Sequence, residues 1–267
     1  MSRIIIAIAI LISFTSCFKE RIELDYNTDE NKKVVINAWI NTLDDPQFIT
    51  VSKTTNYLGA EAPELLSNAE VTLKDTNMTY TLEEGTKGHY FLPIDWLPQI
   101  GDTYELKVSV EGNTYTAEHQ LRPCPEIQDL TPFPMEEEDE LVYYGLSFGF
   151  QEIPGEGDGY FGVDYLKGNL DKDTLSYGGF TNDQIGDGVY FGDIVLTNEG
   201  YMLGDTAVLD IHSIGIETSN YLTDIQLEVF RGSPFDPPPA NVRTNIEGGA
   251  IGYFIMSDAR RKEIVVE

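Results

Sequence analysis

The sequence predicts a mainly β protein: an N-terminal immunoglobulin-like β-sandwich, then a second antiparallel β domain that carries one α-helix. Three observations lead there. Seven short runs between Lys33 and Leu121 are rich in β-branched and aromatic residues, and turn residues separate them. The chain is also rich in the residues of strands and turns, with 15 Tyr, 13 Phe and 24 Gly. One good helical stripe appears, formed late in the chain by Tyr221, Leu222, Ile225 and Val229.

The chain opens with the basic start Met1-Ser2-Arg3, and Ile4 to Phe14 is apolar except for Ser13. That run is about half of the ~20 residues a membrane-spanning helix needs. Residues 1–16 therefore read as a secretory signal peptide. Phe14-Thr15-Ser16-Cys17 resembles a bacterial lipobox, with Phe14 where Leu is usual. Cys17 is then the lipidated residue of the mature chain. Acyl chains such as palmitate, at ~0.8 kcal/mol per buried methylene, would hold it on a bilayer. Residues 17–31 are polar and read as a tether; Lys19-Glu20-Arg21 partly resembles the export signal of surface lipoproteins.

The first sandwich is expected over 32–122. In Lys33 to Asn41, Val34, Ile36, Ala38 and Ile40 fall on one face. Phe48 to Thr54 follows the turn Asp44-Asp45-Pro46. Glu70 to Lys74, Thr79 to Leu82 and His89 to Leu92 are shorter strands. Tyr104 to Val110 alternates cleanly, and Glu111-Gly112-Asn113 turns it into Thr114 to Leu121, with Gly at the positive-φ position. No Cys-Trp-Cys pattern is present, which excludes an antibody-type domain.

Residues 123–140 read as a linker, punctuated by Pro123, Pro125, Pro132 and Pro134 and closed by Glu136 to Glu140. The acidic β domain is expected over 141–267. Its strands are Leu141 to Phe150, Tyr160 to Leu166, Val189 to Thr197 and Ala207 to Ser213. Val189 to Thr197 is apolar on both faces and reads as central. Lys167 to Gly188 reads as a long loop or hairpin. The helix is expected near 219–231, capped by Ser219 and ended by Gly232 and Pro234. Pro237-Pro238-Pro239 is extended. The glycines of Asn245 to Phe254 suggest close backbone packing or a bulge before a final strand, and Ile264 to Val266 suggests one more.

Charge excludes one class of partner. Residues 1–125 carry 18 acids and 10 bases, and residues 126–267 carry 27 acids and 7 bases, for a net of −28. A field of that sign repels nucleic acid. With Cys17 lipidated, Cys124 has no disulfide partner and reads as an incidental thiol.

Several segments carry a family resemblance: Lys33-Val34-Val35-Ile36-Asn37-Ala38-Trp39-Ile40, Val51-Ser52-Lys53-Thr54 with Tyr57, and Ala69-Glu70-Val71-Thr72-Leu73. Gly101-Asp102-Thr103-Tyr104-Glu105-Leu106 and Gly112-Asn113-Thr114-Tyr115-Thr116-Ala117 continue it. Ser233-Pro234-Phe235 and Asn245-Ile246-Glu247-Gly248-Gly249 close it. In order and spacing, the chain resembles the Bacteroidota outer-membrane lipoproteins called domain of unknown function 4249. That family has no established catalytic residues to carry over. Its genes often lie beside TonB-dependent outer-membrane transporters, so the resemblance implies an accessory to such a transporter. Which side of the membrane it faces stays open.

No catalytic or metal signature stands out. His89 and His119 read as structural strand residues, and Asp210 and His212 share a strand face without a third ligand. Asp171, Asp173, Asp183 and Asp187 lie in acidic loops similar to calcium sites but miss the spacing, so calcium is the one cofactor left open. Gly155 to Gly162 leads into a strand and cannot cradle phosphate in the usual way. Loop aromatics are the better lead: Tyr57, Tyr177, Phe180, Tyr190 and Phe235 lie in or beside polar loops. The reading is a non-enzymatic binding lipoprotein, with the first sandwich as spacer and the acidic domain as recognition surface. The alternatives are a glycan or peptide hydrolase using carboxylates or calcium, and an adhesion or scaffold module.

Overall fold

The alternation that marks Val34 to Ile40 puts Val34, Ile36, Ala38 and Ile40 in the core as strand β1 (Val34–Asn41). The computed structural model describes residues 32–43, 46–55, 62–138, 141–155, 159–167, 179–182, 187–229 and 242–267. The signal peptide, the tether, Cys17, Tyr57 and Pro237-Pro238-Pro239 lie outside the described residues.

β1 pairs with β2 (Phe48–Lys53), β2 with β7 (His89–Phe91), and β7 with β6 (Glu83–Thr86); the two-residue β3 (Glu64–Leu65) also joins β2. A second sheet runs β5 (Thr79–Thr81), β4 (Glu70–Lys74), β8 (Thr103–Val110), β9 (Asn113–Gln120). The β8–β9 turn places Glu111 at φ 51° and Gly112 at φ 80°, the two positive-φ positions of a tight hairpin. The two sheets share one core, in which Ile36, Ile40, Leu73, Tyr104 and Leu106 meet. This is a sandwich.

The second unit packs the sheet β10 (Ile127–Glu138), β11 (Leu141–Gln151), β14 (Tyr190–Tyr201) against the sheet β13 (Gly179–Asn182), β12 (Gly159–Leu166), β15 (Thr206–Ser213), β17 (Ala259–Val265). Leu146, Phe148, Phe150, Leu196, Leu209 and Ile211 form its core. The protein is thus mainly β, with antiparallel sheets and one helix among the described residues, α1 (Gly215–Val229).

Four features differ from the sequence reading. Residues 127–138 are not linker but strand β10, in which Pro132 pairs with Leu146 and Pro134 with Tyr144. β10 is an edge strand, where a proline's missing N–H breaks no ladder. β14 ends its sheet among the described residues instead of lying in the centre. The ladder shifts register between Phe148 and Phe150, and Asp193 sits at φ 53°; such a bulge resets the alternation on which the reading relied. α1 begins at Gly215, so Ser219 lies inside it, its carbonyl accepting the Thr223 hydroxyl at 2.9 Å.

The fourth feature concerns the last strands. β16 (Ile251–Ser257) runs parallel to β1, from Val35–Ile251 to Asn41–Ser257, and so belongs to the first sandwich. β17 then returns to β15 in the second. Gly252 makes the pairing possible. It sits at φ +103°, and a Cβ there would lie 2.1 Å from the Ile36 carbonyl oxygen. Only glycine tolerates that backbone against that neighbour.

Candidate functional site

The chain passes between the sandwiches at 121–126, between β15 and β16, and at the β16–β17 corner, and the first and last of these passages meet at Asp258. Its carboxylate is buried. One oxygen accepts from the Thr42 hydroxyl at 3.0 Å and from Arg260 at 2.9 Å; the other accepts the Cys124 N–H at 2.8 Å. Its carbonyl accepts the Ser213 N–H at 2.9 Å, and Thr42 Oγ1 accepts the Ala259 N–H at 2.9 Å. Arg260 reaches on to Glu126 at 2.7 Å. Asp258 therefore ties the end of β1, the 121–126 crossover and the last corner together through its carboxylate, and β15 through its carbonyl. Apolar packing covers the same junction: Trp39 of β1, Phe161 and Val163 of β12, Leu222 of α1, and Tyr253 and Ile255 of β16 form one cluster.

Ionisable side chains here are held in structural pairs. Burial pushes the Cys124 thiol far above its ordinary range, and its Sγ donates to the Ile211 carbonyl at 3.5 Å. Asp210 and His212 share the β15 face, as expected, but serve different partners. Arg261 grips Asp210 through two hydrogen bonds of 2.7 and 2.6 Å, and the Tyr165 hydroxyl donates at 3.1 Å. His212 Nδ1 lies 3.2 Å from Ser257 Oγ, which itself accepts from Trp39 Nε1 at 2.8 Å. No group of three or more His, Cys, Asp or Glu among the described residues is arranged to hold a metal.

A cleft of about 340 Å³ opens beside the junction between the end of β9, the start of α1 and residues 243–245. That volume is at the small end of ligand sites. Glu118, His119, Arg122, Glu217, Asn220, Arg243 and Tyr253 line it. His119 Nδ1 accepts the Met256 N–H at 3.3 Å, so Nε2 carries the hydrogen and donates to Thr218 Oγ1 at 2.9 Å. Burial lowers the His119 pKa to about 4. Both nitrogens are engaged and the ring is neutral, which suits a strut better than a proton shuttle. Thr218 in turn hydrogen-bonds the Tyr253 phenol, whose ring stacks on Tyr221 at 4.2 Å. Arg243 is bound to Asp224 at 2.6 Å and holds that carboxyl below its ordinary range.

Asp171, Asp173, Asp183, Tyr177 and Phe235 lie outside the described residues. Asp187 is in an exposed turn, where its Oδ1 accepts the Gly155 N–H at 2.9 Å. Phe180 falls in β13, in register with Phe161. Tyr190 is exposed on β14, its hydroxyl donating to Asp129. His89 sits in β7, its ring tilted against Phe48 at 5.4 Å. Asp187, Phe180 and Tyr190 thus stand on separate elements.

The surface that the sequence reading missed is the β7–β8 connection, Leu92 to Asp102. Trp96 anchors it, buried edge-on between Tyr80 and Tyr104 at 6.1 and 6.0 Å. Around that anchor Ile94, Leu97 and Ile100 are 80, 84 and 51 % exposed; Met78, in the β4–β5 turn, is 58 % exposed. The available signal was aliphatic residues that follow no strand alternation, set between Pro93 and Pro98.

Two sandwiches stitched by a returning C-terminal strand pair define a mainly β, two-unit protein. Within that class the chain belongs to the DUF4249 family, a domain of unknown function whose model matches residues 19–263. No curated protein sequence matches it. Among solved structures, two cytokine receptor complexes are similar at 12 % identity. One, crystal form 1A, has a TM-score of 0.23 and covers 70 % of this chain and 86 % of its own; the other, crystal form 2, has a TM-score of 0.24 and covers 69 % and 92 %.

Proposed function

We propose that the protein is a non-enzymatic lipoprotein of an outer membrane, anchored through acylated Cys17. There it binds a ligand or partner as an accessory to a TonB-dependent transporter. One observation carries the non-enzymatic part: Asp258, Asp210, His119 and His212 spend their hydrogen-bonding capacity holding strands together. Residues in that state maintain shape, and recognition falls to the exposed surface. The anchor rests on the basic start, the short apolar run and the Ser16-Cys17 junction. The transporter association rests on the family resemblance, which is an argument by association.

The test is purification of the full chain from its native membranes. The expected result is a lipidated Cys17 and recovery of a transporter near equal stoichiometry, with Cys17→Ser releasing a folded protein. A lipidated chain recovered with no transporter contradicts the accessory role; a Cys17→Ser chain that stays anchored contradicts the lipobox reading.

A further inference from the structure

We propose that β1 and β16 form a force-bearing clamp, which resists tension applied between the start of β1 and the second sandwich. The clamp is a property distinct from the binding role, and it follows from strand direction. The two strands are parallel, and their register runs from Val35–Ile251 to Asn41–Ser257. The chain enters β1 at Val34, at one end of the pair. It leaves β16 at Ser257, at the other end, and passes through Asp258 into β17 of the second sandwich. Entry and exit thus lie about 20 Å apart along the strand axis, at ~3.3 Å per residue. Tension between those points pulls the two strands along their own axes in opposite directions. The whole ladder is then loaded together, because the bonds of a parallel pair are evenly spaced. A pull on both strands at the same end would instead open the ladder one rung at a time.

Further contacts oppose the slip. Sliding β1 by one residue would turn the buried Val34, Ile36, Ala38 and Ile40 out of the core. At the exit end, Trp39 Nε1 donates to Ser257 Oγ at 2.8 Å. The Thr42 hydroxyl donates to Asp258 at 3.0 Å and accepts the Ala259 N–H at 2.9 Å. At the entry end, the Thr54 N–H donates to the Lys33 carbonyl at 2.9 Å, and the Lys33 N–H to Thr54 Oγ1 at 3.1 Å. β2 holds the other side of β1 from Val34–Lys53 to Asn37–Thr50. The other edge of β16 is closed by side chains. Thr244 donates to the Gly252 carbonyl at 2.7 Å, and the Asn245 amide exchanges bonds of 2.8 and 2.9 Å with the Phe254 backbone. Each clamp strand is therefore held on both sides. With Cys17 as anchor, any pull on the second sandwich reaches β1 at Val34, although the clamp itself does not depend on that anchor.

The test is single-molecule force spectroscopy on the full-length Cys17→Ser chain, with the buried Cys124 left in place. Handles attach through Lys33→Cys with Glu263→Cys, which loads the pair along its axis, or through Lys33→Cys with Glu247→Cys, which pulls both strands at the same end. The expected rupture force is at least about twofold higher in the first geometry. Thr42→Val removes the lock at the exit end; it should lower the first force and leave the second unchanged. An equal or lower force along the strand axis overturns the clamp, as does a Thr42→Val loss of the same size in both geometries. The chain in this test carries no acyl group, so the clamp can fail without touching the lipid-anchor reading, and the anchor can fail without touching the clamp.

Discussion

The Asp258 carboxylate accepts the backbone N–H of Cys124 at 2.8 Å, joining residues 134 positions apart. That bond closes the crossover between the sandwiches against the corner through which the chain returns. Removing the carboxylate strands the Cys124 N–H, the Thr42 hydroxyl and one arm of Arg260 at once. Asp258→Ala should lower stability by about 3 kcal/mol. Chemical denaturation of the Cys17→Ser chain measures it. A loss below about 1 kcal/mol would show that the apolar junction suffices.

Gly252 and Gly249 separate two penalties. Both have positive φ, +103° and +92°, but a Cβ at Gly252 meets the Ile36 carbonyl at 2.1 Å and one at Gly249 meets nothing within 4 Å. Gly249→Ala should cost about 1–2 kcal/mol from backbone strain alone. Gly252→Ala should cost clearly more, about 3 kcal/mol or above, because it also pries β16 from β1. Equal losses would mean that the parallel pairing is not as close as described.

His119 gives the stability a pH dependence of known sign. Its folded pKa, about 4, lies below the ordinary 6.5 because the ring is buried. Between those values the unfolded chain takes up a proton and the folded chain does not. The contribution is therefore complete above about pH 6.5, falls as pH drops toward about 4, and levels off below it. His119→Gln should flatten that segment of the stability curve relative to the parent. An unchanged slope would mean that His119 titrates normally when folded.

Trp96 offers a test of packing without hydrogen bonding. Its Nε1–H meets no acceptor among the described residues, while its ring lies against Tyr80 and Tyr104. Trp96→Phe should stay within about 1.5 kcal/mol of the parent, and Trp96→Ala should lose about 3–5 kcal/mol. If Phe and Ala cost the same, the indole nitrogen holds a bond not seen here.

What the sequence disclosed depended on periodicity. β1, β4 and β8 each bury one face, and the alternation of Val34, Ile36, Ala38 and Ile40 or of Tyr104, Leu106, Val108 and Val110 states it directly. The glycines before β16 announced a close backbone approach, which Gly252 makes against Ile36. Partnership was hidden, because nothing local in Ile251 to Ser257 names β1 as its neighbour. Bulges were hidden too: Asp193 breaks the alternation of β14 by one residue. The β7–β8 loop carried no strand signal, and its anchor, Trp96, sits between two tyrosines that come together only in the folded chain.

The two sandwiches form one cooperative body, stitched by β16, Asp258 and β17. Amide hydrogen exchange across a urea series measures this directly, by following the peptides around Leu106 in the first sandwich and Leu209 in the second. One shared midpoint is expected for both, shifted equally by Asp258→Ala. Two separate midpoints, with Asp258→Ala moving only one, would contradict it.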